Sequence, residues 1–185
     1  MIRAYKLFFI VMISAFITIK TLTPSVAGTL SEPFPAAEFH HKQAQEWINS
    51  PPLMLDDLKG KVVLLDFWTF DCWNCYRSFP WMNDLEKRYQ DKGLQVIGVH
   101  TPEFKHEKIR SNIEAKVNEF ELHHPIMIDN DFTYWRAMYN KYWPAFYIID
   151  KKSNVRAVYF GETHEGDEHA KRIEETIQQL LAEPA

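Results

Sequence analysis

A layered α/β domain built on a mixed sheet is predicted by three features of the sequence. Apolar runs of strand character alternate with stretches of helical spacing, and the chain closes on a strand pair followed by an amphipathic helix. Its 185 residues, 46% hydrophobic and 25% charged with only 6 Gly, match one packed globular domain rather than a fibrous or disordered chain. The formal net charge of -4 offers no basic footprint for a polyanion, which argues against a nucleic-acid partner.

Residues 1–27 read as an export signal. Arg3 and Lys6 precede the uncharged run Leu7 to Ile19, and Ser25-Val26-Ala27 supplies the small residues of a cleavage site. An uncleaved membrane anchor is the alternative, but the run is shorter than the ~20 apolar residues that span a bilayer. Export to the periplasm or another extracytoplasmic compartment would put the cysteines where disulfides persist. Residues 28–52 are expected to form a lead-in strap carrying Pro33 and Pro35, then a short helix over 38–48 stopped by Asn49-Ser50-Pro51-Pro52. The folded domain is expected over 53–185.

Within it, Val62 to Trp68 is a continuous apolar run broken only by Asp66, the pattern of a strand buried on both faces. Trp73, Tyr76, Phe79, Met82, Leu85 and Tyr89 recur three or four apart, which predicts a helix over 73–89, kinked at Pro80 and stopped by Gly93. Leu94 to Val99 reads as a second buried strand, 107–120 as a helix and 125–128 as a short strand. Asp131 is a candidate N-cap for a helix reaching Asn140. Strands over 145–149 and 155–160 flank a Ser153-Asn154 turn, and a helix over 166–181 ends the chain.

Two Cys cannot build a disulfide scaffold or a four-thiolate zinc site, so any cysteine chemistry rests on one pair. Cys72-Trp73-Asn74-Cys75 is a C-x-x-C at the junction of a buried strand and a helix. There the unpaired N–H groups and the positive end of the helix dipole favour a thiolate, the attacking species, so Cys72 is the expected nucleophile. Cys75, three residues on, returns to the same side of the helix and is placed to resolve a mixed disulfide. A static staple is the competing use of the pair, but so small a loop restrains the unfolded chain weakly. Metal binding is another. The eight His include His40-His41 and His123-His124, yet adjacent residues do not face one point, and neither H-E-x-x-H nor a second C-x-x-C is present. No metal site is expected.

Asp66, six residues before Cys72, should be desolvated with a raised pKa and able to exchange protons with Cys75; its alternative is a carboxylate hydrogen-bonded at a strand end. Trp68, Trp73 and Trp81 bracket the site, either as packing or as contacts for a partner.

Asp66-Phe67-Trp68, the cysteine pair, Pro80 and Trp143-Pro144-Ala145-Phe146 together resemble the thioredoxin superfamily over most of residues 53–182. The stretch Phe67 to Cys75, with Gly98 to Phe104 and Tyr142-Trp143-Pro144, more narrowly resembles exported TlpA-type proteins and the C-terminal thioredoxin-like domain of DipZ-type transporters. The resemblance implies a thioredoxin-like fold with a helix-strand insertion at 105–128. It also implies a cis Pro144 beside the cysteines and a main-chain edge there, so that Trp73, Trp143 and Pro144 are the expected substrate-binding residues. The multispan region of the transporters is missing from this sequence, and Trp73-Asn74 replaces the Gly-Pro of thioredoxin and the Pro-His of strong oxidants.

The expected function is an exported thiol-disulfide oxidoreductase, without organic cofactor, that acts as a reductant. Its partners would be protein thiols and disulfides, with electrons drawn from a membrane donor of the thiol-disulfide transporter type. Alternatives are an oxidising or isomerising member of the same fold, and a copper chaperone using the Cys pair plus a His. A peroxidase is disfavoured because Pro-x-x-x-Thr-x-x-Cys is absent around Cys72.

Overall fold

A computed structural model describes residues 28–185; the expected signal over 1–27 lies outside the described residues. Its centre is β3 (Val62–Trp68), every residue of which is buried. The parallel neighbour β4 (Leu94–His100) lies on one side and the antiparallel β6 (Ala145–Ile149) on the other. Beyond β4 come β5 (Ile126–Ile128), parallel, and β2 (Trp47–Ile48), antiparallel. Beyond β6 come β7 (Asn154–Phe160) and β1 (Thr29–Pro35), both antiparallel to their inner neighbours, giving the order β1-β7-β6-β3-β4-β5-β2.

The unbroken apolar run of β3 follows from burial on both sides, because alternate side chains of a strand enter opposite faces. Leu64 and Trp68 join a core with Phe79, Met82 and Leu85 of α1 (Trp73–Tyr89), Ile113 of α2 (Arg110–Glu119) and Ile173 and Ile177 of α4 (Glu168–Ala182). Leu65 and Phe67 enter the other core, with Phe39, Trp47 and Tyr134, the last on α3 (Thr133–Ala137). Fully burying one such side chain contributes about 1.5–3 kcal/mol, so the two layers together hold the sheet.

Several elements depart from expectation. The strap is partly a strand: β1 pairs with β7 across a register irregularity, and its prolines are tolerated because an edge strand need not donate on its open side. The helix expected over 38–48 is instead a single 3-10 turn, Ala44–Glu46, leading into β2, since Trp47 and Ile48 gain more by pairing with Met127 and Ile126. Residues 105–120 split into a 3-10 turn, Lys105–Lys108, and α2. The helix expected to begin at Asp131 is the short α3, and Asp129 does most of its capping: its carboxylate accepts the N–H groups of Tyr134 at 2.9 Å and Trp135 at 2.8 Å, while Asp131 accepts that of Thr133. Helix α1 runs through Pro80.

Candidate active site

After β3 ends, a turn over 69–71 delivers Cys72 to the N-cap of α1. Its N–H donates to the Thr69 carbonyl at 3.3 Å, and its own carbonyl accepts from Cys75 at 3.0 Å and Tyr76 at 3.3 Å. The Cys72 Sγ also accepts the Cys75 N–H at 3.2 Å. No acidic residue occupies the first turn of the helix, so nothing there opposes negative charge on that sulfur. Cys72 is partly exposed whereas Cys75 is fully buried, and the two are joined as a disulfide with Cα atoms 5.2 Å apart.

Asp66 shares a face with Leu64 and Trp68 by strand alternation, the face on which Cys75 packs. It is 1% exposed, its Oδ1 has no hydrogen-bond partner, and burial pushes its carboxyl up to about 8. The Trp143-Pro144 bond is cis. Pro144 is buried, and its carbonyl accepts the Gly161 N–H at 3.0 Å. The Trp143 indole is fixed by donation to the Thr101 carbonyl at 3.1 Å and by Trp135, whose ring lies 4.3 Å away.

Cys72 opens into a groove of about 570 Å³ lined by Trp73, Phe104, Tyr142 and Trp143, with Asp71, Glu103 and Lys141 among its polar residues. Trp73, Phe104 and Tyr142 are 62%, 51% and 57% exposed, an unusual display of aromatic surface around one sulfur. Of the three tryptophans near the motif only Trp73 reaches solvent; Trp68 is core, and buried Trp81 donates to Glu174 at 3.1 Å. Pro144 does not line the groove, so that wall is made by the two residues before it.

Sequence reasoning missed two buried polar residues next to the site. His100 lies 3.3 Å through Nε2 from the Thr69 hydroxyl and edge-on to Trp68, and burial pushes it down to about 3, leaving it neutral. Glu107, fully buried, hydrogen-bonds the Thr69 hydroxyl and the Asp71 N–H of the turn that precedes Cys72. A charged residue in the stretch Lys105-His106-Glu107-Lys108 carries no local signal of burial.

Among the described residues, the one group of side chains that could converge on a cation is His41, Asp129 and Asp131, and it contains neither cysteine. Its atoms are already engaged: His41 bridges Glu46 at 3.0 Å and Asp129 at 2.9 Å, and Asp129 also caps α3. No described helix is long and apolar enough to cross a membrane.

Over 138 residues the chain is 42% identical to the protein DipZ of Mycobacterium tuberculosis, covering 73% of this chain but 19% of DipZ. It thus spans about a fifth of the length of that relative. Over 137 residues it is 28% identical to the thiol-disulfide oxidoreductase YkuV of Bacillus subtilis, covering 74% of this chain and 88% of that one. Among solved structures, a thioredoxin-like protein in its oxidised form superposes with a TM-score of 0.70 at 28% identity, covering 84% of this chain and all of its own. The AhpC/TSA family model matches residues 34–158, and the chain, with its thioredoxin-like fold, belongs to that family.

Proposed function

We propose that this protein is an exported thiol-disulfide oxidoreductase that reduces disulfides in protein clients through Cys72 and Cys75. The observation that carries the proposal is the asymmetry of the pair: Cys72 faces an aromatic groove from a helix N-cap, while Cys75 is fully buried one turn further in.

The cycle follows from that asymmetry. The Cys72 thiolate attacks a client disulfide, forming a mixed disulfide and expelling one client thiolate. Cys75, deprotonated with Asp66 as the proton acceptor, then attacks the Cys72 sulfur. The internal disulfide forms, the second client thiolate leaves, and two electrons have passed to the client. An external dithiol must restore the pair. A membrane donor of the thiol-disulfide transporter type fits that role, in line with the similarity to part of DipZ. Trp73, Trp143 and the chain entering Pro144 would hold an extended client segment. A peroxidase reading is disfavoured, because Leu65 stands four residues before Thr69 where that chemistry needs Pro.

Electrostatics supports the reducing direction. Asn74 offers Cys72 no positive charge, and an ionised Asp66 opposes a second negative charge nearby, so within the motif only the helix N-terminus favours the thiolate. A strong oxidant near about -120 mV owes its poise to a highly stabilised reduced form, whereas thioredoxin sits near about -270 mV. Equilibration with glutathione should give a potential below roughly -180 mV. A value near about -120 mV, with catalysis of disulfide formation, would make the protein an oxidant instead. Export is tested by recovering the chain from the envelope fraction with residues 1–27 removed; a cytosolic chain would overturn it.

A further inference from the structure

Beside the cysteines the molecule buries a carboxylate that the redox cycle does not use. Glu107 is 0% exposed although the residues on either side of it, His106 and Lys108, are exposed. Burying a carboxylate is costly unless its lone pairs are satisfied. Here each oxygen takes two donors. Oε1 accepts the Thr69 hydroxyl and, at 3.1 Å, the Asp71 N–H; Oε2 accepts the N–H groups of Glu103 and Phe104, each at 2.6 Å.

The division between the two oxygens matters. Those of the first pair belong to the turn that sets Cys72, since Thr69 also accepts the Cys72 N–H and Asp71 lines the groove. Those of the second pair belong to the segment after β4, where Glu103 and Phe104 line the same groove. The two segments share no strand pairing; a second, solvent-exposed link runs through His106, which stacks on Phe104, lies edge-on to Phe70 and hydrogen-bonds the Asp71 carboxylate at 2.5 Å, whereas the Glu107 link is fully buried. We infer that Glu107 is a positioning residue that ties the nucleophile turn to the Phe104 wall and so sets the width of the client groove. The inference rests on the groove being the client-binding surface.

A carboxylate suits this role better than an amide. Four donors converge on two acceptor oxygens, so a Gln side chain must turn its NH2 toward one donor pair and lose that wall. Neither oxygen hydrogen-bonds the Cys72 sulfur, whose intrinsic reactivity should survive.

The test compares the wild type with Glu107→Gln and with the gentler Thr69→Val, which removes one donor on the cysteine side. Amide hydrogen exchange, read without reference to activity, should accelerate tenfold or more in Glu107→Gln either at Asp71 or at Glu103 and Phe104, amides whose N–H groups the wild-type carboxylate accepts. With insulin as client, the KM of Glu107→Gln should rise at least fivefold while kcat stays within twofold, and reaction of the reduced protein with a small aromatic disulfide should stay within twofold of wild type. Thr69→Val should raise the insulin KM by about half as much on a logarithmic scale. Unchanged exchange at all three amides, or equal losses toward insulin and the small disulfide, would overturn the clamp. A wild type that exchanges with neither substrate would instead sink the redox function, leaving the amide exchange to decide the clamp. Should Glu107→Gln fail to fold, the Thr69→Val result decides: an unchanged KM and unchanged Asp71 exchange would reject it.

Discussion

Asp66 faces Gly98 across the parallel β3–β4 pair, so the buried carboxylate of the central strand has a neighbour with no side chain to hydrogen-bond it. On its other flank it faces the apolar Phe146. The gap at Gly98 is itself filled: a Cβ there would lie 2.9 Å from Trp68 Nε1, 3.1 Å from Ile126 Cγ1 and 3.3 Å from His124 Nε2. Glycine is thus needed for the close approach of the indole, and the same packing keeps Asp66 dry.

The carboxyl of Asp66 is raised from its ordinary 3.8 to about 8 by burial, so the folded protein holds a proton that the unfolded chain has released between those values. Stability contributed at this site is therefore present at low pH and lost as pH climbs through that window. Asp66→Asn should be more stable than wild type by about 2–4 kcal/mol at pH 8 and gain little near pH 4. Urea unfolding of both oxidised proteins across that range checks it; a pH-independent difference would mean the carboxylate is not desolvated. If the ionised Asp66 takes the Cys75 proton, the same variant should slow client reduction by about tenfold or more at pH 8, where about half of the carboxyl is ionised, and a rate unchanged there would remove Asp66 from the cycle.

Gly98→Ala should destabilise the fold by about 1–3 kcal/mol, because Trp68, Ile126 and His124 are all buried and cannot swing aside. Denaturant titration gives the number, and a cost within ~0.5 kcal/mol would show that the indole can retreat.

The imidazole of His41 hydrogen-bonds Asp129 and Glu46, and these contacts, that of Asp129 foremost, raise it from 6.5 to about 9. A raised histidine stabilises fully below its unfolded value, and the contribution fades as pH rises through the folded one. His41→Gln should therefore cost stability at pH 6 and progressively less between pH 6.5 and 9, as thermal melts in matched buffers would register. An equal cost at pH 6 and pH 10 would assign His41 a packing role only.

Trp73→Ala should leave stability within about 0.5 kcal/mol, since the side chain is largely in solvent, yet weaken reduction of protein clients. Steady-state kinetics with insulin is the check; unaltered KM would remove Trp73 from the groove's binding surface.

What the sequence made legible was local or strongly periodic. The all-apolar β3, the three-and-four spacing of α1 and the C-x-x-C at their junction each announce themselves within a short window. What stayed hidden depends on distant partners. Trp47 and Ile48 form a strand only because β5 is there to pair with them. Asp129 caps α3 from the end of a strand, and Glu107 reaches back 36 to 38 residues to Asp71 and Thr69. Phe104 and Tyr142 look like ordinary loop aromatics until the fold gathers them around Cys72.

The most direct test of the central claim is mixed-disulfide trapping with single cysteine variants. Cys75→Ser, reduced and mixed with a disulfide-bonded client, should accumulate a covalent complex that is released by dithiothreitol and maps to Cys72 by peptide mass. Cys72→Ser should give little or none, because its remaining thiol is buried. Complexes forming through Cys75 in Cys72→Ser, with none from Cys75→Ser, would contradict the assignment of Cys72 as the attacking thiol.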